Sequence, residues 1–263
     1  HAGQTVLHAG TRVGAAELGM LAAMGVESVA CGRRPRVAIV ATGDELRAPG
    51  EPLGPGQIHD SNAVTLGAMA AVAGAEVVSR AGAGDDRAAT LEALGSALGA
   101  ADAVCVSGGV SVGPHDHVRP ALAELGVEQQ LWGVRLKPGK PFWFGSRDDG
   151  DERTLVFGLP GNPVSAIVTF QLFVLPALRA LQGDDPSASR STALLDAAIP
   201  RDPNRDQAVR CRLRLADDGW HAEPTGPQGS HVLSSMIGAG ALAVVPAGEG
   251  EIAPGERVAV ELL

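Results

Sequence analysis

Between residues 37 and 106 short apolar segments alternate with helical ones, and this alternation restricts the fold more than any other feature. The runs at 37–40 and 103–106 are continuously apolar, as expected for strands buried on both faces of a sheet. Helices are predicted between them at 62–72 and 87–98, each after a residue suited to capping. This order predicts an α/β unit with a mostly parallel sheet and right-handed crossovers. Further strands are predicted at 76–78, 131–136, 142–144 and 154–157, and a long helix at 164–181.

The pattern changes after Gly183, where a polar linker is predicted over 184–191. Within 208–215 apolar residues alternate with three arginines, which predicts a half-buried strand. Further strands, separated by glycine and proline turns, complete a small all-β domain; they are predicted at 220–223, 241–245 and 257–262. Residues 1–34, with a helix predicted at 15–24, read as the end of a preceding region. The predicted division is therefore 1–34, 35–183 and 184–263.

Composition restricts the class of function. The 263 residues are 45% hydrophobic and 19% charged, as in folded proteins rather than disordered ones. A net charge of −9 argues against a nucleic-acid surface, which needs a basic face. The sequence predicts no membrane-spanning segment, which needs an apolar run of roughly 20 residues. It also predicts no signal peptide. Cys31, Cys105 and Cys211 have neither metal-ligand nor disulfide spacing, so a reducing, cytoplasmic location is expected.

A loop rich in glycine and serine follows the apolar run 103–106, and it includes Ser107, Gly108, Gly109, Ser111 and Gly113. A P-loop needs Lys and then Ser or Thr after its last glycine, and the dinucleotide fingerprint needs a different glycine spacing, so neither is present. Glycine lets a ligand approach backbone N–H groups closely, and open α/β sheets bind ligands at the carboxyl ends of their strands. An anion site is therefore predicted, although a tight turn without a ligand explains the glycines alone equally well.

Acidic residues follow three of the predicted strands. Asp44 and Glu45 come after the first strand, Asp85 and Asp86 after the second, and Asp116 after the glycine loop. Because parallel strands bring these ends to one edge, a site for a divalent cation with oxygen ligands, most naturally Mg²⁺, is predicted there. The structural alternatives are a solvated turn for the first pair and helix capping for at least one member of the second.

Both lysines of the chain, Lys137 and Lys140, lie in one loop that contains proline and glycine. A lysine ammonium suits a small oxyanion or a phosphate, so an anion site is favoured over a proline-stiffened surface turn. Further along, Asn162 and Pro163 have the residue types of a helix cap and of a first helical position. The free N–H groups of such a first turn can bind an anion, and capping alone is the alternative there.

Five stretches of the sequence, in this order and spacing, resemble the MoeA-type molybdopterin molybdenumtransferases, whose animal relative is the C-terminal domain of gephyrin. They are 42–46 (Thr-Gly-Asp-Glu-Leu), 58–62 (Ile-His-Asp-Ser-Asn), 107–113 (Ser-Gly-Gly-Val-Ser-Val-Gly) with Asp116, 137–141 (Lys-Pro-Gly-Lys-Pro) and 160–165 (Pro-Gly-Asn-Pro-Val-Ser). The resemblance implies a three-layer, MogA-like molybdopterin-binding α/β domain over 35–183, followed by the family's small C-terminal β domain. It also implies that most of the N-terminal part, which in relatives lines the cleft and helps to form a dimer, lies outside residues 1–34.

The resemblance implies the last step of molybdenum cofactor synthesis, in which molybdenum from molybdate is inserted into adenylylated molybdopterin and AMP is released. It implies that Asp44, Glu45, Asp86 and Asp116 are catalytic and hold Mg²⁺. The implied substrate-binding residues are Thr42, Ser107, Gly108, Gly109, Ser111, Gly113, Lys137, Lys140, Pro160, Gly161, Asn162 and Ser165. A homodimer is expected, in which Ser230, Ser234 and Ser235 are candidates for reaching the facing subunit's cleft.

Two alternatives stay open. A molybdopterin adenylyltransferase shares the α/β domain, but it lacks a C-terminal β domain and usually has a Ser-Gly-Gly-Thr-Gly loop, where this chain has Val110 and Ser111 at the last two positions. A non-catalytic scaffold or cofactor-binding protein is the other alternative, and the retained acids and lysines argue against it.

Overall fold

The structure, a computed structural model, describes residues 3–84, 86–110, 117–150 and 152–263. Within these ranges the helices are α1 (Ala15–Ala23), α2 (Ser61–Val72), α3 (Arg87–Ala100), α4 (Val118–Glu124), α5 (Pro163–Thr169) and α6 (Leu175–Leu181), with a π-helical segment at Phe170–Val174 and a 3₁₀ turn at Leu233–Met236. The strands before α5 are β1 (Arg36–Thr42), β2 (Leu46–Arg47), β3 (Ile58–His59), β4 (Glu76–Ala83), β5 (Ala103–Ser107), β6 (Glu128–Trp132), β7 (Leu136–Lys137), β8 (Trp143–Asp149) and β9 (Glu152–Leu159). The strands after α6 are β10 (Arg190–Leu195), β11 (Ile199–Pro200), β12 (Asp206–Ala216), β13 (Gly219–Pro224), β14 (Ala241–Val245), β15 (Glu251–Ile252) and β16 (Arg257–Leu262).

The central sheet has six strands in the order β4-β1-β5-β9-β8-β6. Strands β4, β1, β5 and β9 are parallel neighbours, whereas β8 lies antiparallel between β9 and β6. The prediction of a mostly parallel α/β sheet is therefore confirmed. Thr42 pairs with Ala83, and Ser107 pairs with Ala41 and Leu159, so the carboxyl ends of the four parallel strands meet at one edge.

Helices cover both faces of this sheet. Along β1, Ala38 and Val40 lie in a core shared with α3 and α4, whereas Val37 and Ile39 lie in a core shared with α2, α5 and α6. Successive residues of a strand point to opposite faces, and all four side chains are fully buried. Burial on both faces explains why the run 37–40 is continuously apolar, and it gives the expected three-layer arrangement.

The helix predicted at 164–181 is one continuous run, Pro163–Leu181, with the π-helical segment in its middle. By length and composition alone it is apolar enough to cross a membrane. Phe170, Val174 and Leu178 are nevertheless buried in the core on one face of the central sheet. The helix is therefore a core element of the α/β unit.

Five of the strands after α6 form a closed barrel, and β11 and β15 pair separately. The order in the barrel is β13-β10-β16-β14-β12, and β12 pairs back with β13, so the prediction of a small all-β domain is confirmed. The same sheet includes β7, which belongs to the preceding α/β part and pairs in parallel with β12. The two parts are thus joined by strand pairing, and the boundaries at 34 and 183 stay predictions.

Two predicted segments are wrong in their bounds. The strand predicted at 131–136 is interrupted, because β6 ends at Trp132 and Gly133 takes a φ of +76°. That left-handed conformation suits glycine and ends an extended segment. The linker predicted at 184–191 ends early, because β10 begins at Arg190, which pairs with Glu261 of β16.

The alternation predicted along β12 is wrong at two positions. Arg210 is fully buried and Leu215 is 67% exposed. The segment 225–236 covers Arg210, whose guanidinium donates to Ser235 Oγ and to the carbonyl oxygens of Pro227 and Gly229. Cover from a later segment, which strand periodicity does not reveal, therefore decides the burial of Arg210.

Asp102 anchors the segment before β1 at the sheet edge opposite the strand ends described above. Its carboxylate accepts hydrogen bonds from Arg33 Nη2 at 2.8 Å, from the Arg36 backbone N–H at 2.7 Å and from Arg36 Nη2 at 3.1 Å. Burial raises the pKa of Asp102, but the hydrogen bonds from Arg33 and Arg36 outweigh burial and hold that pKa well below its usual range. Residues 33–36 are thus held to the α/β unit by a charged cluster.

Asp102→Asn is expected to lower the free energy of unfolding at pH 7 by about 1.5–3 kcal/mol, the range for hydrogen bonds to a charged group. The folded-state pKa lies below the unfolded value of about 3.9, so the carboxylate stabilises the fold above that pH. The contribution is lost as the pH falls through the folded-state pKa. Urea unfolding of the wild type and of Asp102→Asn at pH 7 and near pH 3 measures the difference in their stabilities, which is expected to be smaller at the lower pH. Asp149→Asn, at an aspartate that is 79% exposed, is the control, and an equal effect of both changes would contradict the prediction.

Candidate functional site

The carboxyl edge of the central sheet brings three strand ends into contact. Thr42 ends β1, Ser107 ends β5 and Leu159 ends β9. Thr42 Oγ1 donates to the Ser107 carbonyl oxygen at 3.4 Å, and the Gly108 N–H donates to the Leu159 carbonyl oxygen at 3.1 Å. These bonds fix the start of the glycine loop against both neighbouring strands, as the sequence predicts for a ligand-binding edge.

Asn62, in the first turn of α2, ties two of these loops together. Its Nδ2 donates to Ser107 Oγ at 2.7 Å and to the Gly161 carbonyl oxygen at 2.8 Å. Asp60 caps α2 by accepting from the Ala63 N–H at 2.9 Å, which holds Asn62 at the helix start. From the sequence, Asn62 was the start of a predicted helix and part of the stretch 58–62. Its bridging role was missed because its partners lie 45 and 99 residues further along the chain.

Gly108 and Gly109 both take left-handed backbone conformations, with φ of +88° and +60°. A Cβ at position 108 would lie 2.9 Å from the Thr42 carbonyl oxygen, and one at position 109 would lie 2.5 Å from Val118 Cγ2. The loop therefore requires glycine for its conformation and for close packing. The predicted site residues Ser111, Gly113 and Asp116 lie outside the residues that the structure describes.

Three predicted acids lie around the neighbouring strand ends. Asp44 Oδ1 lies against Gly84, which follows β4: a Cβ added at position 84 would lie 2.7 Å from this oxygen. Asp86 caps α3 by accepting from the Ala89 N–H at 2.9 Å, so the capping alternative is confirmed for Asp86. The Glu45 carboxylate folds back over Gly43. Among the residues described, no group of three acidic, histidine or cysteine side chains is placed to hold a metal ion, so metal binding by these acids stays a prediction.

The two lysines differ in their surroundings. Lys137 belongs to β7, and its Nζ lies 3.5 Å from Asp202 Oδ2. Asp202 also accepts from the Asn204 N–H and from Arg205, and these bonds together with Lys137 hold the pKa of Asp202 below its usual range. Lys140 is exposed and makes no ion pair in the part of the chain that the structure describes. An anion would therefore compete with Asp202 for Lys137, but not for Lys140.

The start of α5 completes this edge. Asn162 occupies the N-cap position and Pro163 the first turn, as predicted, but the Asn162 side chain makes no capping hydrogen bond. The Val164 N–H donates instead to the Ser230 carbonyl oxygen at 3.2 Å. Pro160 and Ser165 are buried, whereas Gly161 is exposed. One donor of the helix start is therefore used by the β domain of the same chain.

Arg210 is the residue that sequence reasoning missed most clearly. It holds the segment that supplies Ser230, since it donates to Gly229 O at 3.2 Å and to Ser235 Oγ at 3.2 Å. Its burial lowers its pKa, and its Nη1 makes no hydrogen bond within the described residues. The position of an arginine in an alternating strand pattern gave no signal that it would be buried.

Comparison with known proteins decides the family. The family described as "Probable molybdopterin binding domain" matches residues 38–180, and the family described as "MoeA C-terminal region (domain IV)" matches residues 192–263. The chain belongs to the MoeA family. The second match covers the barrel, which a molybdopterin adenylyltransferase is expected to lack, so the MoeA alternative is favoured over that one.

Relatives of this MoeA-family chain are similar along nearly its whole length. The molybdopterin molybdenumtransferase of Nostoc sp. is 38% identical over 266 residues, which cover 98% of this chain and 60% of the relative. That of Haemophilus influenzae is 34% identical over 262 residues, with 98% and 64% covered. Two crystal structures of the molybdopterin biosynthesis protein MoeA from Pyrococcus horikoshii give TM-scores of 0.81 and 0.79 at 31% and 26% identity, covering 96% and 99% of this chain and 60% and 62% of theirs. The chain thus spans about three fifths of the length of these relatives.

Proposed function

We propose that this chain inserts molybdenum from molybdate into adenylylated molybdopterin and releases AMP. The observation that carries the proposal is the match of a molybdopterin-binding domain and of the MoeA C-terminal region along one chain, together with relatives named molybdopterin molybdenumtransferase. The site supports it, because donors suited to anionic groups meet at one edge of the sheet. The match of residues 38–180 to a probable molybdopterin-binding domain also supports a pterin as the substrate class.

The arrangement of Asn62 and Ser107 suits a phosphate ligand. Because Asn62 Nδ2 donates to Ser107 Oγ at 2.7 Å, the serine hydroxyl can donate its own proton to a phosphate oxygen. Backbone N–H groups of a glycine loop supply further donors for an anion. Release of AMP breaks the bridge between two phosphates, and the attacking oxygen comes from water or from an oxo group of molybdate. These residues therefore hold the phosphates in place while that bond breaks.

The predicted Mg²⁺ site fits only in part. Carboxylates are the hard oxygen ligands that Mg²⁺ prefers. Asp44 follows β1 and Asp86 follows β4, both at the edge of the sheet that contains the site. The described acids, however, do not converge in a set of three. No catalytic step is therefore assigned to the cation, and turnover measured with and without added Mg²⁺ tests whether one is needed.

The deciding experiment supplies the purified protein with adenylylated molybdopterin and molybdate and measures AMP release by chromatography. Molybdate-dependent AMP release is expected. Binding of adenylylated molybdopterin without any turnover would favour the non-catalytic, cofactor-binding alternative instead. Failure both to bind and to turn over would overturn the proposed function. A homodimer and a cytoplasmic location are also proposed, and sedimentation at several protein concentrations tests the first.

Lys140→Met is expected to weaken molybdate or phosphate binding by about 1.5–3 kcal/mol, the range for a lost charge-assisted hydrogen bond, and to leave the melting temperature nearly unchanged. Lys137→Met is expected to lower stability as well, because it leaves Asp202 without one of its two cationic partners. Calorimetric titration with molybdate and thermal unfolding of both variants make the comparison. Wild-type anion affinity in Lys140→Met would contradict the proposed role.

A further inference from the structure

Trp132 lies at the carboxyl edge of the sheet, in the same row as the candidate site. It ends β6 and pairs with Trp143 of β8, which pairs with Gly158 of β9. Since β6 and β9 are both antiparallel to β8, the end of β6 faces the same way as the ends of β5 and β9. Three strand spacings, about 14 Å in total, separate β6 from β5. The Trp132 side chain is 45% exposed, so its indole faces solvent beside the site.

Arg119 joins this indole to α4, the helix that packs against the glycine loop. Its guanidinium Cζ lies 5.0 Å from the centroid of the Trp132 ring, within the range of a cation–π contact. Arg119 Nη2 also donates to Gln129 Oε1 at 3.2 Å, and the same oxygen accepts from Trp143 Nε1 at 2.9 Å. Arg119 directly follows Val118, the residue against which Gly109 packs. The ring and the guanidinium are therefore held together at the end of β6, on the side of α4.

The lysine loop, residues 137–141, contacts the chain directly after Trp132. The next residue, Gly133, donates its N–H to the Phe142 carbonyl oxygen at 2.8 Å, and Val134 donates to the Lys140 carbonyl oxygen at 3.0 Å. These bonds place the backbone of Lys140 beside the end of β6. The end of β6, which bears the exposed indole, is thus joined to the lysine loop by backbone hydrogen bonds and, through Arg119, to the helix that packs against Gly109.

We propose that Trp132, held by Arg119, is a stacking surface for a planar heteroaromatic ring of the ligand whose phosphates the glycine and lysine loops bind. An indole with one face under a guanidinium can stack a flat ring on its remaining exposed surface. The inference rests on the proposed function, whose substrate carries two such rings, adenine and pterin. Both rings share the chemistry that an indole recognises.

The test compares three variants by calorimetric titration. Trp132→Ala removes the ring, Trp132→Phe keeps an aromatic face, and Trp220→Ala is the control, because Trp220 is similarly exposed (38%) but lies in β13 of the barrel. The probes are AMP, neopterin, adenylylated molybdopterin and inorganic pyrophosphate. Trp132→Ala is expected to weaken the binding of the ring-containing ligands by about 5- to 140-fold, as for loss of one stacked base. Trp132→Phe and Trp220→Ala are expected to stay within about threefold of wild type, and pyrophosphate affinity is expected not to change in any variant.

The titrations with AMP and with neopterin identify which ring stacks on Trp132. A loss confined to AMP assigns adenine to Trp132, and a loss confined to neopterin assigns the pterin; either result supports stacking. Wild-type affinity of Trp132→Ala for every ring-containing probe would overturn the inference while molybdate-dependent AMP release still upheld the proposed function. An equal loss for pyrophosphate would also overturn it, because the change would then act on the anion loops. A wild-type protein that neither bound these probes nor released AMP would overturn both.

Discussion

Gly108→Ala is expected to disrupt the candidate phosphate site and to destabilise the α/β unit by about 2–4 kcal/mol. Gly108 has a φ of +88°, a region in which a side chain costs about 1–2 kcal/mol. The added Cβ would also lie 2.8 Å from Thr42 Oγ1 and 2.9 Å from the Thr42 carbonyl oxygen. Thr42 cannot easily withdraw, since β1 is paired on both sides with β4 and β5. The loop must move instead, away from its hydrogen bond to the Leu159 carbonyl oxygen.

Movement of the loop changes the positions of the backbone N–H groups, so affinity for AMP is expected to fall more than tenfold. Urea unfolding and calorimetric titration with AMP measure the two effects. Gly82→Ala is the matched control, because Gly82 lies in β4 of the same sheet, has an ordinary φ and has no atom within 4 Å of an added Cβ. That control is expected to stay within about 0.5 kcal/mol of wild type. A Gly108→Ala protein with unaltered stability and affinity would show that the loop does not need its left-handed conformation.

The central sheet could be predicted because its signals are local. The run 37–40 is apolar at every position, and burial on both faces of β1 accounts for each of those side chains. Helix α2 begins after Asp60, whose side chain caps it as its residue type predicts. The strand ends could also be placed at one edge, since parallel connection alone determines that arrangement. Periodicity and capping therefore determined the framework of the site.

The contacts within the site could not be predicted, because they join residues far apart in sequence. Asn62 meets Ser107 and Gly161, and Lys137 meets Asp202, through the folded arrangement of different elements. Two lysines in one short loop looked equivalent, yet strand pairing places only Lys137 in the barrel sheet. Asp86 shows the opposite case, since its local role as a cap was open to sequence reasoning and is the one that the structure contains. Local rules thus identified donors and caps, and the fold decided which of them meet.

Arg210→Leu is expected to release the segment 225–236 from the barrel and to reduce AMP release. Arg210 is fully buried, and its guanidinium donates to Pro227 O, Gly229 O and Ser235 Oγ at 3.2–3.4 Å. Leucine fills much of the volume but leaves these acceptors without their donors, at a cost of about 1–3 kcal/mol for each group that stays buried. Removing a buried charge offsets part of that cost, so a net destabilisation of about 2–4 kcal/mol is expected.

The loss of activity follows from what the released segment contacts. The Ser230 carbonyl oxygen accepts the Val164 N–H at the start of α5, so loosening the segment also loosens the edge of the site formed by 160–165. Hydrogen exchange of the amides in 226–235 is expected to accelerate in Arg210→Leu, since their opening no longer breaks the guanidinium hydrogen bonds. Arg212→Leu is the control, because Arg212 lies on the same strand with its side chain exposed, and it is expected to change neither exchange nor AMP release. Arg210→Leu with unchanged exchange in this segment and wild-type AMP release would show that the buried guanidinium does not hold the segment against the site.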